Sequence, residues 1–217
     1  MFEGLPLSGG HATAPLDVLA GLTLLSLLPL LVVSCTSFVR IVVVLSLVRS
    51  AIGASALPPN AVLTALALVL TVVVMAPTFE RIDREAIEPY ARGALTQSQA
   101  FARALEPLRA FMLRQTRVAD VALFERVARR PAEPPARAPI VVLVPAFVVG
   151  ELRSAFAMGF ALYLPFVAID LAIAAILMGL GMMMLSPTVV SLPVKLLLFV
   201  MVDGWALVCG GVVASFR

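Results

Sequence analysis

The sequence predicts an all-α helical membrane protein, in which two long apolar helical hairpins flank a polar, mostly helical insert. Of its 217 residues, 61% are hydrophobic and 13% are charged, whereas an ordinary soluble domain has roughly 45–50% apolar and about 25% charged residues. The charge is also unevenly placed, because 19 of the 29 acidic and basic residues fall between Glu80 and Arg137. So few polar side chains cannot cover a soluble core, which excludes a soluble globular enzyme.

These composition shifts divide the chain into four segments. We expect an N-terminal tail over residues 1–15, a first apolar helical hairpin over 16–79, a polar helical insert with a Pro-rich linker over 80–139, and a second apolar helical hairpin over 140–217. Continuous Leu-, Val- and Ala-rich runs favour helices over the short alternating strands of a membrane barrel.

The first hairpin is predicted from two uncharged runs. Val18–Val39 has 22 residues, which as a helix is roughly 33 Å long and can cross a hydrocarbon core of about 30 Å. The second run begins with Gly53–Asn60, whose glycine and paired prolines indicate a turn, and continues as a predicted helix over Ala61–Ala76. The first 15 residues have no basic region, so we expect the first helix to be retained rather than cleaved as a signal peptide.

The insert is predicted to be helical because its opposite charges lie four residues apart, which places each pair on one helix face. These pairs are Glu80–Arg84, Arg81–Glu85, Arg84–Glu88 and Glu88–Arg92. A second helix is expected over Leu108–Arg130, with a pair between Glu125 and Arg129. Four prolines between Pro131 and Pro139 then favour an extended linker.

The second hairpin repeats the design of the first. Apart from Asp170, the run Ser154–Val194 is apolar. A break at Gly181–Pro187 interrupts this run, and a further apolar segment covers Val189–Val213. The sequence therefore predicts about four long apolar helices in total.

The chain lacks the residues that most catalytic and metal sites require. Its one histidine is His11, and it contains no HExxH, Cys-x-x-Cys or phosphate-binding GxxxxGK[ST] motif. We therefore expect no enzymatic activity, no metal and no cofactor. Nucleic acid is also a poor partner, because the basic residues are clustered without interleaved aromatic residues.

Several ionisable residues lie in apolar surroundings, where a charge is costly and faces an opposite charge, a bundle interior or a water-filled path. They are Arg40, Arg49, Glu151, Asp170, Lys195 and Asp203. In an antiparallel hairpin, Asp170 and Lys195 lie at depths within about 6 Å of each other. Asp170 is thus the same-chain partner that spacing favours, whereas Glu151 reaches Lys195 only across a subunit boundary or a sharp kink. Whether such pairs act in function or only hold helices together stays open at this point.

Three consecutive methionines, Met182, Met183 and Met184, lie in the break of the second hairpin. Methionine is flexible and polarizable, so these side chains can form an adaptable apolar ring if several copies meet on an axis. The alternative is ordinary packing or contact with lipid.

Motifs distributed over almost the whole chain, from about Leu16 to Phe216, resemble the FliP/SctR family of flagellar and injectisome export-apparatus proteins. In order they are Thr36–Ile41, Leu47–Gly53, Pro58–Asn60, Val74–Pro77, Phe111–Arg117, Glu151–Phe156, Leu164–Asp170, Gly181–Met184, Leu192–Lys195 and Val202–Trp205. Ser50 departs from the family pattern, which commonly has Asn there.

This resemblance implies a core subunit of the type III export gate in the bacterial inner membrane, within the basal body of the secretion system. Five copies are expected to assemble with SctS/FliQ-like and SctT/FliR-like subunits into a helical, cone-shaped complex. The other expected partners are further export-apparatus membrane proteins, secreted substrate proteins and membrane lipid. The resemblance makes Met182, Met183 and Met184 part of a gasket that closes the pore. Independently of it, the cost of charge in apolar surroundings predicts intramembrane or inter-subunit charge pairs among Arg40, Glu151, Asp170, Lys195 and Asp203.

The resemblance also implies that the insert lies on the periplasmic side, although its eleven basic residues would favour the cytoplasm under the positive-inside rule. Two other functions remain as alternatives: a small-solute transporter and a structural assembly platform. The motifs leave flagellum and injectisome open, since Leu162–Pro165 and Met184–Pro187 favour an injectisome, and Phe111–Arg117 favours a flagellum.

Overall fold

The computed structural model describes residues 26, 29–30, 32–54, 57–131, 133–182 and 184–216. Over these residues the chain consists of helices and connecting loops without a strand, which confirms the all-helical prediction. The expected N-terminal tail and most of the expected helix Val18–Val39 lie outside the described residues.

Seven helices are labelled here in chain order. They are α1 (Phe38–Ile52), α2 (Asn60–Ile82), α3 (Gln97–Gln115), α4 (Val118–Val127), α5 (Ile140–Gly179), α6 (Pro187–Met201) and α7 (Gly204–Ala214). A π-helical turn, Asp83–Ile87, and a short helix, Glu88–Ala91, extend α2 without a break. A 3₁₀ turn at Pro135–Arg137 lies in the Pro-rich linker.

Helix α1 lies at the centre of the bundle. Its residues Ile41, Val44, Leu45 and Val48 are buried and follow the i, i+3, i+4, i+7 spacing of one helix face. They belong to a core cluster with side chains from four other helices: Leu63 and Ala67 of α2, Ala155 and Phe166 of α5, Phe199 of α6, and Val208 and Val212 of α7. Burial of this face organises the helices around α1.

The predicted helix Val18–Val39 is interrupted near its end: residues 32–35 are helical, a bend and a turn follow at Thr36 and Ser37, and α1 begins at Phe38. Helix α1 then runs through Arg40 and Arg49 to Ile52, beyond the end of the uncharged run. The helix tolerates a buried arginine because the charge is compensated inside the bundle. The turn predicted after it is present, and Gly53 there adopts a φ of 86° that favours glycine.

Two helices in the described part of the chain are long and apolar enough to cross a membrane: the continuous helix Asn60–Ala91 and α5, with 32 and 40 residues. The first is longer than the predicted Ala61–Ala76 because it accommodates Pro77 and is extended by ion pairs of the predicted spacing. These join Arg81 to Glu85, Arg84 to Glu80, and Arg92 to Glu88.

The other predicted apolar segment, Val189–Val213, is not one helix. It consists of α6 and α7, which meet at an angle of 64° and form either a broken span or a re-entrant loop. Asp203 at the bend adopts a left-handed conformation with φ 50°, which aspartate tolerates better than most residues. The described residues thus contain two candidate spans, or three if α6 and α7 form one bent span; the first of the four predicted apolar helices lies mostly outside the described residues.

The insert also differs from its prediction, because the expected helix Leu108–Arg130 is two helices. Helix α3 begins earlier, at a capping box between Thr96 and Gln99, and ends where Thr116 becomes extended. Arg129 follows α4 in a left-handed conformation with φ 53°, and the amide of Arg130 donates to the carbonyl of Glu125. This helix-ending geometry explains why the predicted Glu125–Arg129 pair is wrong; the carboxylate of Glu125 instead accepts from the amide of Glu133.

The contact between α1 and α5 requires glycine at position 159. A Cβ atom there would lie 2.2 Å from Leu47 Cδ1 and 3.0 Å from Leu47 Cβ. We expect Gly159→Val to lower the free energy of unfolding by about 1–3 kcal/mol, as overpacking in a core does, measured by thermal unfolding in detergent. Gly179→Val, in the same helix but with open space around the glycine, is the matched control; equal effects of the two substitutions would contradict the close contact.

Candidate functional site

An ion pair between Arg40 of α1 and Glu151 of α5 lies at the centre of the molecule. Arg40 Nε donates to Glu151 Oε2 at 2.9 Å, and Arg40 Nη2 donates to Glu151 Oε1, so the contact is bidentate. Glu151 is fully buried and Arg40 is 4% exposed. Both residues were predicted to be charges in apolar surroundings, but their contact was not predicted, because 111 residues separate them.

The same guanidinium holds two further segments. Its Nη1 donates to the carbonyl of Ser215 at 3.1 Å and to Ser215 Oγ at 3.0 Å, and its Nη2 donates to Gln115 Oε1 at 3.1 Å. The Arg40 Cζ atom lies 3.9 Å from the ring centroid of Phe216, which is cation–π geometry. Arg40 therefore connects α1, α5, the last residue of α3 and the segment after α7.

Aromatic stacking reinforces this junction. Phe216 stacks on Phe111 of α3 with 6.3 Å between ring centroids, and Phe111 makes an edge contact with Phe147 of α5 at 5.8 Å. Met75 of α2 is buried in the same cluster. The polar contacts of Arg40 and this apolar cluster together dock the insert onto the bundle.

A second ion pair joins α5 to α6. Lys195 Nζ lies 2.5 Å from Asp170 Oδ2 and also donates to the carbonyl of Ala51, in the last turn of α1, at 3.2 Å. The hydroxyl of Ser191 donates to Asp170 Oδ1 at 2.5 Å. The structure thus brings together the two residues whose spacing favoured a contact within one chain, and Glu151 lies with Arg40 instead.

A third ion pair, which was not predicted from the sequence, joins α4 to α5. Both terminal nitrogens of Arg153 donate to the carboxylate of Asp120, at 2.8 and 2.7 Å. These hydrogen bonds hold the pKa of Asp120 below its ordinary value. Arg153 immediately precedes the apolar run Ser154–Val194 and was therefore not counted among the charges in apolar surroundings.

The remaining two marked residues lie outside these pairs. Arg49 Nη1 donates to the carbonyl of Pro58 at 3.2 Å and to Asn60 Oδ1 at 2.6 Å, across the turn between α1 and α2. Asp203 is exposed at the bend before α7, and no ion pair joins it to another residue of the described chain.

The methionine loop, defined as Gly181–Ser186, follows a tightly closed helix end. The amide of Gly181 donates to the carbonyl of Met178 at 3.0 Å and that of Met182 donates to Leu177 at 2.9 Å, and Gly181 has a φ of 74°. This is a Schellman motif, which satisfies the last carbonyls of α5. Met182 is 44% exposed and Met184 is fully exposed; Met183 lies outside the described residues.

An all-helical bundle with apolar outer faces, helices long enough to cross a bilayer and charges paired in its interior belongs to the class of helical membrane proteins. Within that class the sequence matches the FliP family over residues 21–212. The chain therefore belongs to the FliP family.

Curated relatives extend over nearly the full chain. Flagellar biosynthetic protein FliP of Pectobacterium carotovorum subsp. carotovorum is 47% identical over 215 residues, which are 99% of this chain and 83% of that protein. The FliP proteins of Caulobacter vibrioides and Bacillus subtilis are 49% and 42% identical over 97% and 95% of this chain, and over 80% and 94% of their own lengths. All three relatives have the flagellar name, whereas the sequence motifs had left flagellum and injectisome open.

Loss of the buried guanidinium is expected to be strongly destabilising. Arg40→Gln leaves the fully buried carboxylate of Glu151 without its cation, which costs about 3–5 kcal/mol for a buried pair. Thermal unfolding in detergent measures this, and Glu151→Gln added to Arg40→Gln should recover part of the loss because no unpaired charge remains. The matched control is Arg84→Gln, which removes an exposed pair with Glu80 and should cost at most about 0.5 kcal/mol. Equal losses for the Arg40 and Arg84 variants would contradict the central role of this pair.

The attachment of α4 to α5 is expected to weaken in acid. Because the pKa of Asp120 is lowered in the fold, its ion pair stabilises the folded state above the unfolded pKa of about 3.9, and this stabilisation is lost as pH falls through the folded pKa. Hydrogen exchange of the α4 amides should accelerate over that range beyond its intrinsic pH dependence. Asp120→Asn should remove this extra acceleration, while Asp83→Asn, an exposed control in the same insert, should retain it. An unchanged profile in Asp120→Asn would contradict the assignment.

Proposed function

We propose that this chain is a subunit of the flagellar export apparatus and forms part of the protein-conducting channel through which unfolded substrate proteins cross the bacterial inner membrane. Membership of the FliP family over residues 21–212 supports the flagellar assignment, as do the names of the relatives.

The methionine loop is the observation that carries the channel role. The Schellman motif fixes the backbone at Gly181 and Met182, while the side chain of Met184 projects with full exposure. Flexible thioether side chains on a fixed backbone form a constriction that excludes water and ions, yet can deform around a passing chain. We propose that Met182, Met183 and Met184 of several copies form this gasket.

The outer faces of the bundle support assembly with further subunits. Helix α5 has 40 residues and is about 60 Å long, twice the thickness of a hydrocarbon core of about 30 Å. Large exposed apolar side chains occur along it and along α2 and α6, among them Val69, Val72, Phe160, Leu171, Val189 and Leu197. Lipid can cover only part of so long a surface, so protein must cover the rest. We propose five copies of this chain, joined by FliQ-like and FliR-like subunits and by further membrane proteins of the apparatus.

In this proposal the buried charges position helices and do not carry substrate. Arg40 and Lys195 each contact a carboxylate of α5 within the same chain, so their charges are compensated before any subunit joins. Exposed Asp203, at the bend between α6 and α7, is instead available to a neighbouring subunit. This arrangement favours a gate subunit over a small-solute transporter, whose substrate path would need accessible polar groups near the membrane centre.

We place the insert on the periplasmic side of the inner membrane, following the family. At 58 residues between Glu80 and Arg137, it approaches the length of about 60 residues at which the positive-inside rule weakens. A complex in which many apolar helices pack on one another rather than on lipid also need not obey that rule.

Removal of the gasket should increase ion leak while assembly is preserved. We expect cells with the triple substitution of Met182, Met183 and Met184 by alanine to leak ions several-fold faster than wild type, because three bulky side chains per copy leave the constriction. Conductance or dye-based ion flux measures the leak, and purification of the intact complex measures assembly. Met201→Ala is the control, since Met201 is exposed but lies at the other end of α6, about 21 Å along the helix from its start. Normal assembly with unchanged leak would instead favour a structural platform.

A further inference from the structure

Arg49 is a cation whose charge the proposed function does not use. Its two hydrogen bonds in the described structure both come from Nη1 and go to neutral oxygens, those of Pro58 and Asn60. No carboxylate of the described residues forms an ion pair with it. The guanidinium thus holds the turn after α1 with one nitrogen, and Nε and Nη2 are available for an anion.

A large apolar groove of about 660 Å³ opens beside this cation. It lies between the turn after α1 and the helices α6 and α7. Its lining residues other than Arg49 are uncharged and mostly apolar, and they include Leu57, Leu192, Leu196, Phe199, Val200 and Trp205. Volumes of about 300–1,000 Å³ are typical of ligand sites, so the groove can hold an elongated apolar group with its polar end at Arg49.

The position of Arg49 along the candidate span fits a lipid headgroup. Helix α2 begins at Asn60, and its uncharged stretch Ala61–Phe79 is about 28 Å long, close to the thickness of a hydrocarbon core. Arg49 contacts Asn60, so it lies at one end of that stretch. Trp205, which makes an edge contact with Phe199 at 5.3 Å between centroids, borders the same groove, and tryptophan prefers the membrane–water interface.

We propose that this groove is a binding site for an anionic phospholipid. The lipid phosphate accepts hydrogen bonds from Nε and Nη2 of Arg49, and one acyl chain lies against Leu192, Leu196 and Phe199. A guanidinium matches phosphate oxygens in a bidentate manner, and basic pockets between membrane helices bind anionic headgroups. An apolar helix of a partner protein would fill the groove but leave the charge of Arg49 without an anion, which is why the lipid is favoured. This inference rests on membrane insertion alone and does not depend on the export role.

Lipid titration with native mass spectrometry tests the headgroup contact. The purified chain in detergent should bind phosphatidylglycerol more tightly than phosphatidylcholine. Arg49→Gln should weaken phosphatidylglycerol binding by roughly fivefold without changing phosphatidylcholine binding, and Arg49→Lys should recover part of the difference. The matched control is Arg114→Gln, at an exposed position of the insert, which should behave as wild type. Equal phosphatidylglycerol binding by wild type and Arg49→Gln would overturn the proposal.

A photo-cross-linking experiment tests the acyl-chain contact in native membranes and with Arg49 intact, so it stands even if the Arg49 variants fold poorly. A photoreactive amino acid at Leu196, which lines the groove and is partly exposed, should acquire an adduct with the mass of a phospholipid. The same group at Leu123, an exposed position of α4, should not. Adducts at Leu196 exclusively with another protein would overturn the proposal and identify the groove as a protein interface.

Discussion

The packing of this protein depends on how a guanidinium is accommodated at the centre of an apolar bundle. Arg40 lies on α1, the helix that the others surround, so its charge cannot reach water and must be compensated internally. Glu151 supplies the opposite charge, and Ser215, Gln115 and Phe216 occupy the other faces of the guanidinium. Because Arg has five donors in a fixed plane, these groups must approach from fixed directions. The charge therefore sets the relative positions of α1, α3, α5 and the segment after α7.

Helix α5 fixes the positions of other helices at several points along its length. Its Glu151 and Asp170 are 19 residues apart, about 28 Å along the helix, and each receives a cation from a different helix. Arg153 adds a third contact, to α4 of the insert. Three helices are thereby set in register on one long helix by directional ion pairs, whereas apolar contacts alone would allow them to slide. The outer faces are not needed to fix the positions of these helices, so they can remain apolar for contact with lipid or with other subunits.

Local features of the sequence predicted local structure well. Uncharged runs identified the helical class, spacings of four identified three ion pairs of the insert, and Gly53 with its prolines identified the turn before α2. Thr96 and Gln99 have the spacing of a capping box, but the predicted helix began later, at Leu108. Gly181 correctly indicated the helix end before the methionine loop. The partner of Arg40 could not be found in this way, since it lies 111 residues away in the sequence. The break between α3 and α4 and the pairing of Arg153 likewise depend on tertiary contacts that no local pattern encodes.

The contact between Arg40 and Ser215 has a consequence for the order in which the fold is completed. The two residues are 175 positions apart, so the ribosome adds α2 to α7 after Arg40 before the last acceptor of its guanidinium exists. Glu151 is synthesised earlier than Ser215 and can neutralise the charge before that last acceptor exists. Contacts of such long range form late, because the chain between them must first be ordered. The junction that joins the insert to the bundle is thus completed only after α7 has been synthesised, and a nascent chain that stops before Ser215 lacks this contact.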